Sequence, residues 1–229
     1  MLQSFVSKMR KKYIVTAVLL VLAVVLGWQC YEKGINKKPL NYPESLDKKA
    51  VRVNDTELTL RDLAFYVAYE EGEVEKQAEV YDPDDPNSYW NMHTDGQFVK
   101  VAARNAAIQL AIHDEIFYQL AEADQTVLTE EELESLDNSI TDFWSDLTDR
   151  EGDAGLGVTR DDIAATMKRA ALAQKYQYIY EELQNADHGD YDCYGDAYEA
   201  LRDKQKYTIH KNVWSRVNFG RVTVHPEES

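Results

Sequence analysis

Cysteine is nearly missing: Cys30 and Cys193 are the only two in 229 residues, and they stand far apart. Two isolated thiols make neither a disulfide framework nor a zinc knuckle. The histidines, His93, His113, His188, His210 and His225, fall into no H-x-x-x-H spacing, so metal catalysis has no ligand pattern to rest on. There is no G-x-S-x-G elbow, and neither cysteine has an evident histidine partner. The glycines of "EGDAGLG" carry no Walker lysine and sit among Glu151 and Asp153, so they read as a flexible turn and not as a phosphate cradle. In "DHGDYDCYGDAYE" the alternating Asp190 and Asp192 suggest a calcium loop, but that register puts Leu201 where the bidentate glutamate belongs, which leaves a solvated loop. Catalysis has no positive sign in this chain, and no enzyme, cofactor or metal site is expected.

Basic charge is scarce and lopsided. The net charge is −16; residues 1–50 hold nine of the 25 Lys/Arg and three of the 41 Asp/Glu, leaving 16 against 38, or −22, for the rest. An acidic body repels phosphate backbones, so no nucleic acid is expected as a partner. About 180 residues remain beyond the leader, enough for one domain with a real core.

Long hydrophobic runs are also lacking, with one exception. "YIVTAVLLVLAVVLGWQCY", residues 13–31, holds no charge and is just long enough to cross a bilayer core. The basic residues 1–12 precede it, and Trp28 and Tyr31 sit where an outer interfacial belt would lie. Residues 1–12 thus read as a cytoplasmic tail, 13–31 as a single-pass signal anchor in the cell membrane, and the remainder as extracytoplasmic. A cleaved signal peptide is the rival, but no A-x-A-like site follows the run. Trp28-Gln29 before Cys30 does not supply the small residues that lipidation requires. Residues 32–50, with two prolines and five lysines and no apolar period, read as a flexible tether.

From residue 51 the pattern changes. Val51 and Val53 alternate with Arg52, Asn54-Asp55 favours the positive φ of a hairpin turn, and Glu57-Leu58 resumes an extended path. Thr59-x-x-Asp62, Thr94-x-x-Gln97, Thr129-x-x-Glu132 and Thr159-x-x-Asp162 resemble capping boxes that open four helices. The first runs from about Leu60 to Tyr81 with Leu63, Val67 and Val74 inward. The second, from about Gly96 to Ala123, carries Phe98, Val101, Asn105, Ile108, Ile112 and Ile116 at helical spacing. The third has a narrow stripe of Leu133, Leu136, Ile140, Phe143 and Leu147 opposite solvated acids. The fourth, Arg160 to Gln184, carries Ile163, Met167, Ala170, Leu172, Tyr176, Ile179 and Leu183. A turn-rich break, a short helix around Tyr198 to Lys204 and the alternating "KYTIHK" follow. The segment Tyr207 to Val224 is expected to fold back on the first hairpin, burying Ile209, Val213, Trp214, Val217 and Phe219, because a lone two-stranded hairpin is marginal in water. The fold class is mainly α, with a small N-terminal β-hairpin and a short C-terminal strand.

Aromatics are plentiful, with 15 Tyr and 4 Trp. They offer large amphipathic contact area at small entropic cost, suited to gripping varied polypeptide segments; closing the core is the alternative use of each. Tyr176, Tyr180, Tyr191, Tyr194 and Tyr198 are the peptide-binding candidates.

Three stretches carry a resemblance. "VRVNDTELTLRDLAFY" is similar to a V-x-V-N-G-x-x-I-T-x-x-E-F opening, "AIQLAIHDEIFYQLAEADQTVLTEEEL" to a long helix ending in L-T-x-x-E, and "VTRDDIAATMKRAALAQKY" to a later capped helix. In these the chain resembles the N-terminal chaperone module of the SurA/PrsA/PpiD-type foldases, related in fold to the peptide-binding part of trigger factor. Asp55 stands where that pattern has glycine, and "DPDDPNSYWNMHTDG" is a long insertion. The resemblance implies a SurA N-terminal-like helical domain over residues 51–229, acting as a holdase for unfolded or exported polypeptides. Those foldases often carry a parvulin domain after the helical module; the 45 residues beyond Gln184 show no such composition, so prolyl isomerase activity is not expected. The alternative is an accessory or structural subunit of an envelope or secretion complex that binds one partner.

Overall fold

The structure is a computed structural model that describes residues 38–151 and 156–224. The expected cytoplasmic tail, the membrane anchor, Cys30 and the first part of the expected tether lie outside the described residues. Among the described residues no helix is long and apolar enough to cross a membrane.

The folded unit begins at Leu40, not Val51. The expectation of a tether through residue 50 is corrected here: Tyr42, Ser45 and Leu46 are buried around a 3-10 turn, Pro43–Ser45. The Tyr42 hydroxyl donates to the carbonyl of Leu60 at 2.6 Å, and the Leu40 amide donates to the carbonyl of Arg216. Tyr42 and Leu46, with partly buried Leu40, are apolar side chains without a period and carry no helical or strand signature, yet they suffice to dock a short segment. Pro43 also fixes Gly157, whose φ is +67° and where a Cβ would come within 2.6 Å of the proline ring.

Strands β1 (Lys49–Val53) and β2 (Thr56–Thr59) form the expected antiparallel hairpin, with Val51 opposite Leu58 and Val53 opposite Thr56. Asn54 takes the positive φ at 52°. Its side chain is a further reason for asparagine there: the amide donates to Gln119 (2.8 Å) and Gln205 (3.1 Å), and its oxygen accepts from the Lys206 amide. The Thr59/Asp62 box is formed, but it closes a turn, and α1 (Ala64–Tyr81) starts one turn later. Leu63, Val67 and Val74 face inward as expected.

The long insertion folds as a single-turn helix, α2 (Pro86–Tyr89), and a two-stranded ribbon, β3 (His93–Thr94) and β4 (Gln97–Phe98). This corrects the Thr94/Gln97 capping box. The Asp95-Gly96 dipeptide, both residues at positive φ, makes a tight hairpin turn, and that backbone geometry overrides the weaker T-x-x-Q signal. Helix α3 (Val99–Ala123) therefore begins three residues later than expected, and Phe98 is exposed on the ribbon. Asn105 likewise faces solvent, whereas Ile108, Ile112 and Ile116 are buried.

Helix α4 (Glu130–Glu151) opens on the Thr129/Glu132 box, and α5 (Arg160–Gln184) on a complete Thr159/Asp162 box with left-handed Asn185 at its end. Helix α3 is the centre of the bundle: α1 and α5 both pack on it, and α4 packs on α5. Of the α5 stripe, Ile163, Leu172 and Tyr176 are buried, while Leu183 is exposed.

Helix α6 (Asp196–Arg202) leads into β5 (Tyr207–Ile209), which pairs antiparallel with β1, Val51 opposite Ile209, giving the sheet order β2-β1-β5. After α7 (Lys211–Trp214), Trp214, Val217, Phe219, Val222 and Val224 are buried, and Ile209 and Val213 half-buried. The tail does fold back on the hairpin and then continues to α1. There the fully buried carboxylate of Glu71 accepts four hydrogen bonds: from the amides of Gly220 (2.6 Å), Val222 (3.3 Å) and Thr223 (2.6 Å) and from the Thr223 hydroxyl (2.7 Å). One turn further, Glu75 accepts from the indole of Trp90 at 3.0 Å, and Gly220, at φ +84°, lies so close under that indole that a Cβ would meet it at 2.6 Å.

Glu71→Ala would strip buried amides of their acceptor and should cost at least about 3 kcal/mol, since each unsatisfied buried polar group costs roughly 1–3 kcal/mol. Trp214→Ala should cost about 3–5 kcal/mol as a buried aromatic truncation. Urea denaturation of the two variants checks both, and unchanged midpoints would show the tail to be an appendage.

Candidate functional site

The five candidate tyrosines divide by burial. Tyr198 is 1 % exposed and lies edge-on to His113 (4.6 Å) and stacked on Phe117 (6.2 Å). Tyr180 and Tyr191 meet edge to face at 5.0 Å, and both reach Phe117. Tyr176 is 4 % exposed and donates its hydroxyl to Asp124; burial and that carboxylate push its pKa to about 12. Tyr176 and Tyr198 are therefore packing groups, and their reading as peptide contacts is corrected: an aromatic ring this enclosed reaches no client unless the core opens. Tyr180 and Tyr191 are half-buried, and Tyr194 alone is well exposed, at 77 %.

Tyr194 stands apart from that cluster because it borders a groove of about 430 Å³ between α1, α3 and the β3-β4 ribbon. The floor is made of small apolar side chains, Ala102, Ala103 and Ala106 of α3 with Val74 of α1. Four neutral amides line it: Gln77 from α1, Gln97 from the ribbon, and Asn105 and Gln109 from α3. The bonds they make in the groove are long, Asn105 donating to Gln97 at 3.3 Å and the Tyr89 hydroxyl donating to Gln77 at 3.4 Å, so exchanging them for ligand bonds costs little. Tyr89, itself part of the lining, stacks obliquely on exposed Tyr81 at 5.4 Å, and exposed Phe98 extends the ribbon next to Gln97.

Glu70 also lines the groove. Burial, and then the neighbouring charge of Glu73, raises its carboxyl to about 7. At neutral pH it is thus divided between a hydrogen-bond donor and an acceptor. Beside it in the turn before α6, burial raises the Cys193 thiol to about 12, so it stays protonated and unreactive. Among the described residues no three His, Cys, Asp or Glu side chains gather to hold a metal ion.

The arrangement offers neutral hydrogen-bonding groups over an apolar floor. Amides that both donate and accept match a peptide main chain, the alanine floor lets that chain approach closely, and aromatic rims suit its apolar side chains. Sequence reasoning missed the groove because its floor is alanine, which has no signature, and because the ribbon forming one wall was read as a helix cap. The Asp95-Gly96 turn was the signal that pointed to it. The fold is thus a mainly helical domain with a small antiparallel sheet, carrying one amide-lined groove. No protein-family model matches the chain, and neither curated proteins nor solved structures include a match to it.

Burial raises the pKa of Glu71 as well as Glu70, against the hydrogen bonds that favour its charged form. For Glu70 the raised folded-state pKa means more protons bound folded than unfolded, so its contribution to stability is full below the ordinary glutamate value of 4.5 and is lost as pH rises through about 7. Melting temperatures across that window should fall for this reason, and Glu70→Gln should flatten part of the slope. An identical slope in the variant would exclude Glu70 as a contributor.

Proposed function

We propose that this chain is a membrane-tethered, extracytoplasmic chaperone-like protein that holds unfolded or exported polypeptides without prolyl isomerase activity. The single observation that carries the reading is the amide-lined, alanine-floored groove between α1 and α3. Main-chain hydrogen bonding with apolar rim contacts is indifferent to client sequence, which is what a holdase requires. The apolar run at residues 13–31 and the resemblance to SurA/PrsA/PpiD-type modules support the location and the class. The acidic body adds a preference for neutral or basic segments over acidic ones. In this reading the contact residues are Gln77, Gln97, Asn105 and Gln109 with Tyr89 and Tyr194, and no bond is made or broken.

Aggregation of a chemically unfolded client should be suppressed by the chain. Ala106→Trp, which fills the groove at a half-buried position, should abolish the effect while the melting temperature is retained. No suppression at molar excess over several clients, or full suppression by the filled variant, would remove the reading. Recovery of one stoichiometric partner from membranes, in place of a heterogeneous set of exported proteins, would favour an accessory subunit instead.

A further inference from the structure

A second surface lies on the other helical pair. Leu133, Leu136 and Ile140 of α4 face Ala164 and Ala165 of α5 across an open groove of about 360 Å³. The three α4 residues belong to the stripe that, in sequence, reads as helix packing and could equally serve a partner helix. Ile140 and Leu147 do pack, and Phe143 meets Phe65 at 5.1 Å. The N-terminal half of the stripe has no such cover: Leu136 is half-buried and Leu133 is 39 % exposed. Alanines at 164 and 165 keep the opposite wall low, so a helix can settle between the two.

The charge around this groove decides what fits it. Helix α4 carries nine acidic residues against one Arg. Glu130 and Asp137 lie on the stripe of Leu133, three positions before it and four after, and Glu134 and Asp161 are exposed beside it. Lys168 is the opposing charge on the α5 wall, and Arg160 is engaged with Asp137 (3.5 Å) and Thr141 (3.0 Å). A second copy of this chain would bring two such acidic helices together, and an anionic lipid surface would be repelled in the same way. A basic partner meets complementary charge at exposed Glu130 and Glu134 by the groove, while Glu132 is already paired with Lys175 at 2.7 Å.

We propose that the α4-α5 groove docks a basic amphipathic helix, with apolar residues at i, i+3 or i+4 and i+7 entering between Leu133, Leu136 and Ala165 and flanking Lys or Arg facing the acids of α4. The occupant differs from an extended client in the α1-α3 groove, and the two sites are independent. The docking is helix-in-groove recognition steered by charge.

The test uses the full chain and a labelled synthetic peptide with leucines at that spacing and lysines between them, with a twin in which every lysine is glutamate. Fluorescence anisotropy should show binding of the basic peptide, weakening as ionic strength rises, and no binding of the acidic twin. Leu136→Asp should weaken binding about tenfold or more, and so should Ala165→Arg, a substitution at an exposed position that leaves the core untouched. Ala106→Trp in the other groove should leave it unchanged. Equal binding of both peptides, binding of neither, or wild-type affinity in Ala165→Arg would overturn the proposal. So would self-association of the chain that Ala165→Arg abolishes, which would make the groove a dimer interface.

Discussion

The carboxylate of Glu71 is the constraint around which this domain closes. A carboxyl group taken fully out of water is tolerated only when its oxygens find partners, and here the four donors all come from residues 220–223. Those donors hold the tail on α1. The tail in turn buries Val217, Phe219 and Val222, and its glycine seats the indole of Trp90, which Glu75 anchors from the next turn. Trp90 fixes the insertion, and the insertion supplies Tyr89 and Gln97 to the amide-lined groove. One acid on α1 thus organises the tail, the ribbon and the groove wall.

Much of the helical framework was legible in the sequence because capping boxes are local. Thr159 and Asp162 satisfy orphan amides within a single turn, so the start of α5 could be read without reference to anything distant. The hairpin was equally local, and β5 followed from the need to cover it. What escaped notice was non-local. Leu40, Tyr42 and Leu46 dock because of what lies beneath them. Glu71 and Glu75 look like the solvated face of a helix, and only donors outside that helix, residues 220–223 for Glu71 and Trp90 for Glu75, turn that face inward.

The tyrosines teach a related lesson about sites. Crowding in sequence drew attention to Tyr176 and Tyr198, yet an aromatic cluster around Phe117 and His113 is a packing solution: the Tyr176 hydroxyl is met by Asp124, and the Tyr198 ring lies under Arg202 with its buried hydroxyl unpaired among the described residues. The surface with binding chemistry is built from alanine and amides drawn from three elements, none conspicuous alone. Tyr194 belongs to it through its place in the fold, not through its aromatic neighbours in the chain.

The contact between Glu71 and Thr223 also has a temporal meaning. The chain is made from its N-terminus, and α1 exists long before its acceptor acid has donors, with 152 residues separating the two. β1 waits similarly for β5. An emerging chain therefore carries an acid on α1 that only water can satisfy until residues 220–223 have followed it. Chains cut short before Gly220 carry that unmet acid permanently, a built-in difference between finished and unfinished chains.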